Sequence, residues 1–249
     1  MKQTILEIKN LTKTYRSNAS ELTILKELNL KIDKGEFVCI LGPSGCGKST
    51  LIRCIAGFEE FQGEIIADGK AVKKPGTDRM MVFQDFNQLY PWKSVENNIM
   101  YPLKLQNIKD KKKLKELSDE ALRKVDLDGR QKNYPHELSG GMKQRVAIAK
   151  ALALKSDIIL MDEPFAALDA MTRNKLQDEL TLIHSQSDIT VIFITHNIQE
   201  ALVLGTRILV MDKRGNIIID EENTIEKPVT PASKSYGETW NRLHDALGR

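Results

Sequence analysis

Five short segments are apolar almost without alternation: FVCIL (37–41), MMVF (80–83), IILM (158–161), TVIFIT (190–195) and RILVM (207–211). A strand wetted on one face alternates apolar and polar residues. Runs that do not alternate, bounded by polar turns, suit strands buried on both faces, as in a parallel sheet covered by helices. Their lengths and β-branched content favour strand over buried helix. Two further stretches, ILEIKNLTKTY (5–15) and GEIIADGKAV (63–72), are more amphipathic and suit an antiparallel sheet flanking that core. From residue 88 to 155 the pattern turns helical. The chain is therefore expected to be one α/β domain over 1–249. Residues 1–87 and 156–220 would form the core, 88–155 an inserted helical subdomain, and 221–249 a short tail ending in a helix.

At 249 residues the chain is long enough for a substantial core. Apolar residues make up 41% and charged residues 29%, an ordinary balance for a globular protein. The net charge of +3 argues for neither nucleic acid nor an anionic membrane as partner. The lysine cluster KDKKKLKEL (109–117) has Leu114, Leu117, Ala121, Leu122 and Val125 behind it at helical spacing, so it reads as the wet face of an amphipathic helix. Cys39, Cys46 and Cys54 lack metal-ligand spacing and imply reduced thiols. With no signal-like start and no apolar run near the roughly 18 residues of a membrane span, a cytoplasmic protein is expected.

Residues 42–50, GPSGCGKST, comprise Gly42, Pro43, Ser44, Gly45, Cys46, Gly47, Lys48, Ser49 and Thr50. They fit G-x-x-x-x-G-K-[ST], in which glycines let backbone N–H groups and a helix N-terminus close on phosphate oxygens. Lys48 would reach the β- and γ-phosphates, the Ser49 hydroxyl would bind Mg²⁺, and Thr50 would add an α-phosphate contact. The loop follows one apolar run and opens STLIRCIAG, a helix expected to end at Gly57. The run IILMDEPFAALD (158–169) ends in two adjacent carboxylates at the edge of the sheet where nucleotides bind. Asp162 is expected to hold Mg²⁺. Neighbouring residues of an extended chain point opposite ways, so Glu163 is free to face the γ-phosphate and orient a water. Gln84 and His196 follow two other runs and should arrive at the same edge; His136, His184 and His244 have no such placement and read as surface residues.

A second glycine turn, LSGGM (138–142), leads into another helix, GMKQRVAIAKALAL. Ser139 offers a hydroxyl, and Gly140 and Gly141 offer unobstructed N–H groups at a helix N-terminus. Taken in order, Tyr15, the loop 42–50, Gln84, LSGGM, Asp162, Glu163, Asp169 in AALD and His196 resemble the nucleotide-binding subunit of ABC transporters, over essentially residues 1–220. The resemblance implies a P-loop NTPase with a RecA-like parallel core, adenine stacked on Tyr15, and two copies stacked head to tail around two ATP molecules. Each ATP would then be capped by the partner's Ser139–Gly140–Gly141 turn and the helix behind it, with Asp169 also among the residues that bind the nucleotide. That is why one chain carries two anion loops.

Two departures stand out: Met142 replaces the glutamine common in LSGGQ, and Ala166 stands where many members have Ser or Gly. MVFQDFNQLYPWKSVENNI (81–99) and YPHELSGGMKQRVAIAKAL (134–152) are similar to importer ATPases of the nitrate, sulfonate and taurine group. That likeness implies membrane permease subunits as partners, indirectly a solute-binding protein, and a place at the cytoplasmic face of the membrane. Phe86 to Trp92 would border the cleft for the permease; Trp92 could equally be core. An ATPase acting on nucleic acid or ribosomes, or an exporter subunit, remains the alternative.

Overall fold

The computed structural model describes residues 3–17, 20–84, 88–106, 108–166 and 168–248. The five apolar runs are five parallel strands of one sheet: β3 (Phe37–Leu41), β6 (Arg79–Val82), β7 (Ile158–Asp162), β8 (Thr190–Ile194) and β9 (Arg207–Met211). With β10 (Ile217–Glu222) antiparallel at one edge, the order is β10-β9-β3-β8-β7-β6. The amphipathic stretches lie in a second, antiparallel sheet of order β2-β1-β4-β5, built from β1 (Thr4–Ser17), β2 (Ser20–Asp33), β4 (Gln62–Ala67) and β5 (Lys70–Ala71). Neither β2 nor β10 was singled out in the sequence. Glu27 takes a left-handed φ of 49° inside β2, and half of β10 is acidic, so neither reads as an apolar run.

Alternation within the parallel strands sorts the core into two layers. Val38, Ile40, Leu160, Ile192, Ile194 and Leu209 face α1 (Lys48–Ala56) and the antiparallel sheet. Phe37, Cys39, Leu41, Ile159, Met161, Phe193 and Val210 face the opposite layer of helices. That layer includes α2 (Val95–Leu105), α3 (Lys111–Lys124), α4 (Gly140–Leu154), α5 (Ala170–Ser185), α6 (Ile198–Leu204) and α7 (Tyr236–Leu247). On α3, Leu114, Ser118, Ala121 and Leu122 are buried and the lysines are wet, as the spacing predicts, and Asp110 caps the helix by accepting from the Lys112 N–H. Helix α4 is buried nearly all round, from Gly141 to Leu154 apart from Met142 and Lys143, because it packs on α2, α3, β6 and α5. Leu243 of α7 is fully buried, so the end of the chain is docked. No helix among the described residues is long and apolar enough to cross a membrane.

Register decides what the strand ends bring together. Ile194 of β8 pairs with Ile40 of β3 on one side and with Asp162 of β7 on the other, while Val82 of β6 pairs with Met161. The residues following these four strands therefore emerge side by side. Truncating Leu160, fully buried in the middle of β7, should cost about 2–5 kcal/mol of unfolding free energy in urea titration of Leu160→Ala; a loss under about 1 kcal/mol would mean that this layer is loosely packed.

Candidate nucleotide site

Fully buried β3 runs into the loop 42–50, whose geometry depends on glycine at two points. Gly45 and Gly47 take φ of 82° and 105°, in the left-handed region. A Cβ on Gly47 would also lie 2.9 Å from Ile24 Cγ2 of the β1–β2 hairpin, which leans on the loop. Cys46, Gly47 and Lys48 are buried, Pro43 and Thr50 half-buried, and Ser44, Gly45 and Ser49 exposed. Lys48 Nζ donates to the carbonyls of Gly42 (2.7 Å) and Pro43 (2.9 Å), so the ammonium is held over the loop. Helix α1 starts at Lys48 and ends, as expected, at Gly57, whose φ of 79° makes the left-handed cap.

The two carboxylates at the end of β7 part company, but not by strand alternation: Asp162 is the last residue of β7, and at Glu163 the chain has left the extended conformation. Asp162 Oδ1 accepts from Ser49 Oγ at 2.9 Å, which joins the phosphate loop to the end of β7. Burial raises the Asp162 carboxyl above the usual carboxylate range, against the lowering effect of the Ser49 bond. Glu163, at a left-handed φ of 44°, sends Oε2 to within 3.1 Å of His196 Nδ1, and its own N–H closes the ladder on Ile194 O at 3.1 Å. Gln84 is exposed two residues beyond β6. Lys48, Ser49, Asp162, Glu163 and His196 thus stand on one sheet edge, with Gln84 at its flank.

The other predicted residues stand elsewhere. Tyr15 pairs with Leu22 on the hairpin, half exposed, with Lys13 Nζ 4.5 Å from its ring centre. Ser139 is the N-cap of α4, its Oγ accepting from the Met142 N–H at 3.3 Å. Gly141 is buried, and a Cβ there would lie 2.7 Å from Thr172 Cγ2, so its missing side chain also serves helix packing. Asp169 caps α5 by accepting from the Thr172 N–H at 3.0 Å, and that bond holds its carboxyl low. Trp92 is 71% exposed against Tyr90 and is not core, while Phe86 lies outside the described residues. His184 is not a surface residue: it is half-buried, edge-on to Phe37, and its pKa is lowered by burial.

Several polar groups here went unread. Gln88 and fully buried Gln144 hydrogen-bond to each other and to the backbone of Phe83, tying α4 to the turn that carries Gln84. Glu200, four residues past His196, is buried on α6 beside Thr195 and Arg173. A glutamate among the apolar residues of IQEALVL was the available signal.

The family model for the ABC transporter matches residues 25–166, more than half of the chain. The chain belongs to the ABC transporter family. This ABC ATPase is 44% identical over 242 residues to an aliphatic sulfonates import ATP-binding protein of Bacillus cereus, covering 96% of this chain and 94% of that one. It is 41% identical over 235 residues to a nitrate import ATP-binding protein of Synechocystis, covering 93% and 87%. Among solved structures it resembles a dimeric ATP-binding cassette in a post-hydrolysis state bound to ADP and Pi, with a TM-score of 0.77 and 32% identity over 88% of this chain and 98% of that one. The fold is that of a P-loop ATPase cassette, as the apolar runs and glycine loop predict.

Two predictions come from this geometry. A buried carboxylate with a raised pKa favours its protonated form on folding, so its charge costs stability once the pH exceeds that pKa. Asp162→Asn should therefore melt above the parent at neutral pH, with the gap closing as the pH falls into the carboxylate range; a lower melting point at neutral pH would contradict this. Gly141→Ala should lower the melting point, and Thr172→Ser, which deletes the opposing methyl, should restore most of the loss in the double variant. No restoration would mean that the Thr172 contact is not the cause.

Proposed function

We propose that this ABC ATPase is the ATP-hydrolysing subunit of an importer for a small solute bearing an oxyanion, such as nitrate, a sulfonate or taurine. It works as a head-to-tail pair of identical chains at the cytoplasmic face of the membrane, on permease subunits served by a solute-binding protein. The observation that carries the hydrolytic part is the juxtaposition of the Ser49–Asp162 and Glu163–His196 pairs on one sheet edge. The importing relatives, matched over nearly their whole length, support the transport part.

In this reading residues 88–155 form the helical subdomain, residues 1–87 and 156–220 the catalytic core, and 221–249 the tail. Tyr15 stacks on adenine, and the loop 42–50 holds the triphosphate. Lys48 exchanges its two carbonyl partners for β- and γ-phosphate oxygens, trading neutral acceptors for charged ones. The residues present fit Mg²⁺: a hydroxyl and a desolvated carboxylate already converge at Ser49 and Asp162, with Gln84 at the flank, and magnesium takes such oxygen donors alongside phosphate and water. When bound, Mg²⁺ supplies positive charge where negative charge develops on the phosphates.

Glu163 orients the attacking water and takes its proton, while His196, fixed by Glu163, donates to the γ-phosphate. The partner's Ser139, Gly140 and Gly141 turn and Asp169 close the site. Binding of ATP thus draws the two chains together, and hydrolysis lets them part.

Glu163→Gln should retain ATP binding, lower turnover by about 10²–10⁴-fold, and sediment as a dimer with Mg-ATP. Near-parental hydrolysis would remove Glu163 from this role. Recovered from solubilised native membranes with Mg-ATP, the same variant should bring down a polytopic permease; recovery with ribosomes alone would overturn the transport reading.

A further inference from the structure

Behind the Glu163–His196 pair lies an ion pair, between buried Glu200 and half-buried Arg173, that the chemistry above does not use. Glu200 is 6% exposed, and its Oε1 stands 3.6 Å from Arg173 Nε. Its Oε2 accepts from Thr195 Oγ1, which in turn accepts from the Asn197 N–H at 3.0 Å. Those two bonds bracket His196 on both sides. Arg173, in the first turn of α5 just past the Asp169 cap, also donates Nη2 to Leu168 O at 2.9 Å. A chain of polar contacts thus runs from the turn that carries Asp169 to the turn that carries His196. Glu163, Arg173, Thr195, His196 and Glu200 all line one cavity of about 40 Å³.

Buried ion pairs are poor stabilisers, because desolvation offsets most of the attraction and apolar residues of similar volume do as well. What this pair provides is a link. Among the described residues, the backbone ladder between the two turns ends at the Glu163 N–H bond to Ile194. Past that point Arg173 and Glu200 connect them. We propose that Arg173 and Glu200 are positioning residues for hydrolysis, clamping the Asp169 turn to the His196 turn so that the Glu163–His196 pair is held in register with the dimer face. The inference rests on the roles given above to Glu163 and His196.

The test uses the purified full-length chain with Mg-ATP. Glu200→Gln keeps an acceptor for Thr195 but removes the charge that holds Arg173. The double variant Arg173→Met/Glu200→Met removes the pair without stranding a charge. Both are expected to bind ATP within about twofold of the parent while turnover falls about ten- to a hundredfold, as misplacement of reacting groups predicts. Arg173→Lys, which keeps a charge opposite Glu200, should lose less turnover than the double variant. In a His196→Ala background, Glu200→Gln should have little further effect, because the clamp acts through His196; a general loss of folded protein would instead multiply. Parental turnover in Glu200→Gln or in the double variant would overturn the clamp, as would multiplying losses. If His196→Ala itself turns over normally, the site reading fails first, which separates the two ideas.

Discussion

Ile194 is paired with Ile40 on one side and with Asp162 on the other, and most of the site follows from that register. Parallel strands in register end at the same height, so whatever follows β3, β7 and β8 must meet. The chain uses the coincidence four times: the glycine loop after β3, the two carboxylates at the end of β7, His196 after β8, and Gln84 just beyond β6. A slip of one residue in β8 would turn His196 to the opposite face and part it from Glu163. The two-sided core resists such a slip, because Phe193 and Ile194 fill different layers.

Much of this was legible in the chain. Each of the five parallel strands matched an unalternating apolar run, since strands covered on both faces are apolar along their middles; the polar residues Arg79, Asp162 and Thr190 stand at strand ends. The loop 42–50 was legible because few residue patterns can wrap a phosphate. What escaped were features set by partners distant in sequence. Nothing near Glu200 announces that Arg173 will lie beside it, and nothing near Gln144 points to Gln88 and Phe83. Periodicity reads which face of an element is buried, but not which buried polar groups find one another. The same limit explains His184, whose burial comes from Phe37 across the sheet face.

The second glycine turn gained a meaning that local chemistry did not supply. Gly141 permits α4 to approach α5 at Thr172, and Thr172 is the residue whose N–H Asp169 caps. The Ser139 and Asp169 turns are therefore packed as a unit, two helix N-termini presented together. Met142 fits this arrangement. Its N–H satisfies Ser139 and its side chain packs on the helical layer of the core, so the residue that departs from the common glutamine still keeps the turn in shape.

The three cysteines are all buried, and burial pushes the Cys39 thiol up and the Cys54 thiol to about 11. Maleimides and spin labels react with thiolates that solvent can reach. Cys39 and Cys54 would therefore stay silent beside a cysteine placed by design at an exposed site, which leaves Cys46 of the glycine loop as the one natural thiol to replace first. Met171, 84% exposed beside the Asp169 turn, is such a site. A probe there would report as a single distance the separation of the two copies proposed above.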